Sequence, residues 1–465
     1  MESKLNFVLE KVLSWAEALL IPDYPFSAEK SELKFGERLA ILWGFLLRRF
    51  ASPGAGRSYE ISVLLYSQAG KRMLIPILLR ILNRSDLAER RIRVNLVHTP
   101  RYAPLSQDIL EQMKSLGCNV ATNKFSLIEA CIRPRGKVVV MCLDHRRFYE
   151  FHKTGVDAAD TLRRFSVKTV SIQHGGSGEG AVSGLATSAS DIVLVWGQRV
   201  FRELVQKHQV DQGRLRLVGN PLHDRILSLD REKIISRIEG RYPGFQKEAS
   251  NKKIVVLATC LHTEYMDYEN EEEMYVQFLR HIYESLDFSR VFLFVKMHPE
   301  DSSDPNLYAQ LVPPHSAQSV RIVDRDLNPI LQGIGDSAVT DLDVYSLLYI
   351  ADLLITRAST VAEEAVLTGK KVIAFDLIES GPSRYYKHLE AYGYYRRVYA
   401  SPERALREAI SAALSAECNY ESDIAIADMT YLLDGKSTDR AAGEIIDQLL
   451  TSGASWDAKR SRLVV

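Results

Sequence analysis

The chain has 465 residues, 46% of them apolar and 25% charged, and its 59 basic and 59 acidic side chains cancel to a formal charge of +0. That length exceeds what one hydrophobic core organises, so two domains plus extras are expected. The charge balance removes any bulk argument for a nucleic-acid or acidic partner, and five cysteines without metal-ligand spacing (Cys118, Cys131, Cys142, Cys260, Cys418) point to free thiols in a reducing compartment.

No secretory pattern opens the chain, and no apolar run approaches the roughly 20 residues of a spanning helix. The longest candidate, Leu39 to Leu47, stops at Arg48-Arg49. A cytoplasmic protein is expected, with peripheral contact to the inner face of a membrane left open. Residues 1–56 read as a helical segment, because Leu5, Val8, Leu9, Val12, Leu13 and Leu20 follow one helix face. A second helix over Leu33 to Phe50 carries Trp43, Phe45, Leu46 and Phe50 beside the two arginines. It reads either as a foot on a membrane surface or, the favoured reading, as a face packed on the next domain. Ser52-Pro53-Gly54-Ala55-Gly56 then reads as a linker.

From Ile61 the pattern becomes short apolar runs separated by helical stretches. Strands are expected at Ile61–Tyr66, Val94–His98, Val138–Cys142, Thr169–Ile172, Ile192–Val195 and Leu215–Val218, with a helix near Leu74–Leu82. The series pauses at Gly219-Asn220-Pro221, a charged helical stretch follows to about Asn251, and a second series begins. Its strands are Ile254–Ala258, Val291–Lys296, Val320–Val323, Leu353–Ile355, Lys371–Phe375 and Arg397–Tyr399; Pro402 to about Leu450 is helical in pattern. Strands alternating with helices predict parallel sheets covered on both faces. The expected architecture is α/β: two Rossmann-like domains, 57–225 and 226–450, facing a central cleft, with a tail over 451–465.

Two glycine motifs fail. Gly70-Lys71 lacks the earlier glycine and the following Ser or Thr of a phosphate loop, since Leu65 and Arg72 stand there. In Gly175-Gly176-Ser177-Gly178-Glu179-Gly180-Ala181, residues Gly176, Gly178 and Ala181 fit a dinucleotide fingerprint, but Gly184 and the next strand are expected to leave no room for the helix it must open. Of Asp341 and Asp343, one is expected to cap the helix through Leu347 and Leu348 rather than bind metal.

Three segments carry chemistry. Lys296-Met297-His298-Pro299 ends an apolar strand, where the proline fixes a turn and the histidine and lysine can meet a phosphate. Ser359 and Thr360 precede a helix; Thr360 with Glu363 fits a capping box, and a helix start with free N–H groups and hydroxyls also suits an anion. Glu364, one turn in, suits ribose hydroxyls, and Arg357 either adds charge or is solvated. Gln173-His174-Gly175-Gly176 ends a strand of the first domain, placing a histidine suited to general-base work before glycines that read as a mobile loop over the cleft. Asp144 and His145 are weaker candidates of the same kind. Each histidine reads equally well as one satisfied within its turn.

In order and spacing these motifs resemble the two-domain glycosyltransferases of the GT-B fold, over roughly residues 60 to 450. His298-Pro299 and Ser359-Thr360 are similar to the His-Pro and Ser/Thr pairs that hold CMP in bacterial sialyl- and ulosonic-acid transferases. Lys296 to Pro299 and His174-Gly175 resemble the Lys-x-His-Pro and His-Gly segments of teichoic-acid glycerophosphotransferases, in which the latter histidine is the proposed base. Trp196-Gly197 and Val218-Gly219-Asn220-Pro221 resemble the strand and turn that close the first domain. Departures are Arg357 and Ala358 in place of an aspartate and an aromatic, and only Gly178-Glu179-Gly180 where sialyltransferases carry an acidic signature. Glu363-Glu364-Ala365 is also similar to UDP-sugar epimerases and transferases, so the nucleotide base stays open.

The resemblance implies a metal-independent, cofactor-free transferase of polysaccharide biosynthesis acting on a nucleotide-sugar donor and a saccharide or lipid-linked acceptor. Lys296, His298, Pro299, Ser359, Thr360 and Glu364 would hold the donor, His174 would serve as base, and Gly175, Gly176 and Gly178 would form the covering loop. A UDP-sugar 2-epimerase and a non-catalytic nucleotide- or polymer-binding module are the alternatives.

Overall fold

The computed structural model describes residues 59–100, 103–121, 137–164, 167–259, 271–298, 301, 305–323, 342–400, 402, 404–417 and 422–461. The N-terminal helical segment and linker, Pro299, Asp341 and three of the cysteines lie outside the described residues; Cys118 and Cys142 are buried free thiols.

Two parallel sheets carry the fold. In the first, strands β1 (Tyr59–Leu65), β2 (Ile92–His98), β3 (Asn119–Ala121), β4 (Lys137–Met141), β5 (Lys168–Ile172), β6 (Ile192–Val195) and β7 (Leu215–Leu217) lie in the order β3-β2-β1-β4-β5-β6-β7. In the second, β8 (Lys253–Ala258), β9 (Val291–Lys296), β10 (Val320–Val323), β11 (Leu353–Thr356), β12 (Lys371–Asp376) and β13 (Tyr395–Tyr399) lie in the order β10-β9-β8-β11-β12-β13. The apolar runs read from the sequence match these strands to within two residues, except β3, a three-residue edge strand with too little apolar character to register.

Burial on both faces explains why the runs are continuous rather than alternating. Along β9, Phe292 and Phe294 join one core with Ile254, Val256 and Leu354, while Val291, Leu293 and Val295 join another with Val255, Leu257 and Ile355. The first sheet divides likewise, with Leu194 on one face and Val193 and Val195 on the other.

Among the described residues the α-helices of seven or more residues are α1 (Gln68–Leu82), α2 (Gln107–Ser115), α3 (Tyr149–Arg164), α4 (Glu179–Leu185), α5 (Gln198–Gln206), α6 (Arg231–Arg241), α7 (Glu271–Ser285), α8 (Val344–Ile350), α9 (Val361–Leu367), α10 (Ala405–Ser415), α11 (Ser422–Thr430) and α12 (Ser437–Ser461). Among the described residues none is long and apolar enough to cross a membrane.

Three expectations are corrected here. The chain does not finish in the second domain. Helix α12 returns to the first sheet, where Ala441, Ala442, Ile445, Ile446 and Leu449 are buried with Ile61, Val138 and Val170. Asp224, in the connecting segment, accepts hydrogen bonds at 2.8 Å from the backbone N–H groups of both Ser437 and Thr438 and so starts that helix. The helix also runs on to Ser461, through most of the expected tail. Second, the glycine-rich stretch after β5 is not an open loop from Gly175 to Gly184, because Gly178 begins helix α4. Gly184 is no helix breaker: a Cβ there would sit 2.5 Å from Phe148 and 2.9 Å from His145 Nδ1, so glycine permits close packing inside the helix. Third, Thr360 and Glu363 form no capping box. Thr360 has helical dihedrals and makes no side-chain cap bond, and the Glu363 carboxylate points elsewhere. Asp343 does cap α8, accepting from Ser346 N at 2.7 Å.

Candidate functional site

Strands β8 and β11 are neighbours, and the chain leaves them toward opposite edges of the sheet, so a crevice forms beyond their carboxyl ends. The segments following β8, β9 and β11 meet there. Thr259, Lys296, His298, Ser359, Thr360 and Glu364 line one cleft of about 850 Å³ including its open mouth. Every described residue assigned from sequence to the donor therefore shares a single concavity.

Local bonding fixes this wall. The His298 backbone N–H donates to Thr259 Oγ1 at 2.9 Å, tying the loop after β9 to the loop after β8. Lys296 is 4% exposed at the end of its strand. Ser359 Oγ accepts from Val361 N at 3.4 Å. Because α9 spans only seven residues, its dipole is short, and the hydroxyls and cations matter more than the helix end.

The opposite wall comes from residues that sequence reasoning missed. Arg72 enters from α1 and Arg225 from the 3₁₀ segment Pro221–Ser228. Arg225 is ion-paired with the α8 cap Asp343, and its guanidinium lies 5.2 Å from the centre of the Tyr345 ring. Tyr345 in turn donates its hydroxyl to Glu364 Oε1 at 2.7 Å. Burial pushes the Glu364 carboxyl up to about 7, against the pull of Tyr345, Arg72 and Arg225 toward the ionised form. Arg72 follows the Gly70-Lys71 pair inside α1 and Arg225 follows the Asn220-Pro221 turn, and neither position carries a local pattern that marks a ligand.

Arg357 plays neither role read for it. It is 1% exposed, and its Nε donates to Asp376 Oδ1 at 3.1 Å; the same oxygen accepts from Leu377 N at 3.0 Å. A buried pair with its lone pairs used holds β11 to β12 rather than a ligand.

His174 stands at the carboxyl end of β5 and does not line this cleft. It belongs to a cluster of three imidazoles, with ring centres 5.2 Å from His145 and 5.8 Å from His152, which are 4.8 Å from each other. Burial, then repulsion from the other two rings, holds His174 well below the ordinary histidine range. Burial likewise lowers His145 to about 4. Beneath the cluster, Asp144 accepts from Ser171 Oγ at 2.6 Å and from Ser188 Oγ and Ser190 N at 2.8 Å. Those bonds give the carboxylate a supporting role in the first domain.

The glycines after His174 pack against the second domain. Ser177 N and Oγ donate to Glu363 Oε1 at 2.5 and 3.0 Å, and Ser177 Oγ lies 2.7 Å from His388 Nε2. The segment Gly175–Gly178 is thus seated between the domains rather than swinging over the cleft.

The sequence matches no protein-family model and no curated protein. Solved structures share its fold at low identity. The UDP-GlcNAc 2-epimerase of Neisseria meningitidis bound to UDP-GlcNAc aligns with a TM-score of 0.54 and 12% identity, covering 83% of this chain and 100% of that one. The co-structure of MnaA from S. aureus with UDP aligns at 0.54 and 11%, covering 83% and 96%. The wall teichoic acid polymerase TagF aligns at 0.50 and 11%, covering 89% and 94%. The likeness establishes the fold: two Rossmann-like domains of the GT-B type, facing one another across a cleft.

Proposed function

We propose that the protein transfers a sugar or glycerol-phosphate group from a nucleotide-activated donor, CMP- or CDP-linked, to a saccharide or lipid-linked acceptor of surface-polysaccharide assembly. The observation that carries this reading is the convergence of Lys296, His298, Ser359, Thr360 and Glu364 on one cleft opposite Arg72 and Arg225. Three cationic side chains, a histidine and two hydroxyls suit the phosphates of a nucleotide, and a carboxylate one helical turn further in suits ribose hydroxyls.

In the proposed reaction the acceptor oxygen attacks the donor carbon or phosphorus as its proton passes to His174. The bond to the nucleotide phosphate breaks, and the charge left on that phosphate is met by donors already in place. Fixed donors of this kind are the main source of rate where no metal ion is used. An imidazole kept neutral by burial is in the protonation state a base requires. His174 lies outside the cleft, so the acceptor would have to enter from the first-domain side.

A second reading, an isomerase of the UDP-sugar 2-epimerase type, draws on the epimerase structures with UDP-GlcNAc or UDP that share the fold. A thermal-shift panel of CMP, CDP, UDP and GDP tests the site itself. A ligand at a hundred times its Kd stabilises by about 2.7 kcal/mol, so the cognate nucleotide should stand clear of the others. No stabilisation by any of the four would overturn the reading. Incubation with UDP-GlcNAc alone separates the two activities: an epimerase equilibrates it, whereas a transferase without acceptor gives slow hydrolysis at most.

A further inference from the structure

The contact between Ser177 and the second domain has a feature that packing does not require. The Ser177 hydroxyl has one hydrogen, yet it lies within bonding distance of two groups, Glu363 Oε1 at 3.0 Å and His388 Nε2 at 2.7 Å. Burial, with Arg199 beside it, holds His388 down to about 3, against a hydrogen bond to the Tyr385 backbone that engages the other ring nitrogen as donor. A neutral His388 then presents Nε2 to Ser177 as an acceptor. Both contacts are satisfied only if one further proton is shared along the chain. Glu363 is then protonated and donates to a serine that donates to His388. Without that proton one contact is lost.

The surroundings show how closely this contact is built. Ser177 and Glu363 are each 1% exposed. A Cβ at Gly176 would lie 2.5 Å from Glu363 Oε1, so glycine is required for the approach. Arg199 donates to the Ser177 carbonyl at 2.7 Å from α5. The charged and titratable groups acting on Glu363 are Arg199, which lowers its pKa, Glu364, which raises it, and Tyr395 on β13; Arg199 also acts on His388.

Glu363 adjoins Glu364 in the cleft, and Ser177 lies three residues beyond His174. We infer that Glu363, Ser177 and His388 form a proton-dependent interdomain clamp that positions the loop carrying His174 against the donor-binding helix α9. The clamp's value to turnover rests on the function proposed above. Glu363 is a positioning residue, acting through Ser177. Burial pushes its carboxyl up to about 7, so the shared proton leaves near neutral pH.

Amide hydrogen exchange on the full chain tests this without a substrate. In the wild type, protection of residues 382–391 should fall as pH rises through about 7, as the His388 contact is lost. In Glu363→Gln the amide oxygen still accepts from the Ser177 N–H and no titrating proton remains, so the Ser177 amide should stay protected and the pH step should disappear. Glu363→Ala should raise Ser177 exchange by roughly tenfold, the effect of one buried hydrogen bond left unmade. If that variant fails to fold, Ser177→Ala carries the comparison: the pH step disappears while the residue 177 amide, still facing Glu363, stays protected. A pH step unchanged in Glu363→Gln and Ser177→Ala, or Ser177 protection unchanged in Glu363→Ala, overturns the clamp. Its positioning role predicts slower transfer by Ser177→Ala and Glu363→Ala with an unaltered nucleotide thermal shift. Transfer at the wild-type rate despite raised exchange overturns that role. Absence of any nucleotide shift in the wild type would instead sink the functional reading and leave the exchange result standing.

Discussion

The two domains present the same topological feature, the carboxyl edge of a parallel sheet, and use it in opposite ways. Beyond β8, β9 and β11, cations and hydroxyls converge on an open cleft, with Glu364 held beneath Tyr345. Beyond β4 and β5, His145 and His174 are drawn in with His152, and burial plus mutual repulsion holds His174 well below the ordinary histidine range. Under the proposed function the first edge holds an anion, and the second keeps an imidazole uncharged. A group-transfer enzyme needs both, because the phosphate requires compensation whereas the proton acceptor must be free of its proton.

That contrast breaks most sharply at His174. As general base it should contribute about 10²–10⁴-fold to transfer, so His174→Ala should lose that much in kcat while the nucleotide thermal shift stays at the wild-type value. Loss of nucleotide binding in this variant would erase the division of labour between the edges. Unchanged transfer would leave the histidine cluster a packing feature of the first domain.

His298→Ala should act in the other direction. Removing one donor to a leaving phosphate costs about 10²–10³-fold in transfer, and here nucleotide stabilisation should fall with it. Transfer retained at near wild-type efficiency would remove His298 from the site.

The sequence conveyed the fold well because both sheets are buried on both faces, which turns strands such as Val291–Lys296 and Leu353–Thr356 into continuous apolar runs. The wall proposed to hold the donor was legible for a related reason: Lys296, His298, Ser359 and Thr360 stand at or just beyond the ends of those runs. The facing wall was not. Arg72 and Arg225 reach the cleft because α1 and the connecting segment pack across it, and no local pattern announces that. The same limit explains Glu363, whose spacing from Thr360 fits a capping box although its partner, Ser177, lies in the other domain. Arg357 failed through burial, since its strand-end position resembles that of a ligand while its partner Asp376 stands on the neighbouring strand. Helix α12 failed through topology, because an amphipathic helix does not state which sheet it covers.

The smallest effect expected is the most specific to the ribose end of the cleft. The Tyr345 hydroxyl donates to Glu364, and that bond opposes the upward push of burial. Tyr345→Phe removes the bond, so the Glu364 carboxyl should titrate above its wild-type value of about 7. An ionised carboxylate accepts ribose hydroxyls and a protonated one does so poorly. Nucleotide affinity in the wild type should therefore fall as pH drops through about 7. In Tyr345→Phe the same fall should begin at higher pH. At pH 7 the variant should bind a few-fold more weakly, in line with one hydrogen bond worth about 0.5–1.5 kcal/mol, and by pH 9 the two proteins should converge. Folding stability has its own sign. A carboxyl raised from 4.5 to about 7 binds its proton more tightly when folded, so its contribution is complete below pH 4.5 and is lost as pH rises to about 7. Calorimetric titration of the nucleotide at several pH values separates the two dependences, since affinity and stability change in opposite directions with pH. A wild-type affinity flat through neutrality, matched by Tyr345→Phe at every pH, would place the ribose away from Glu364.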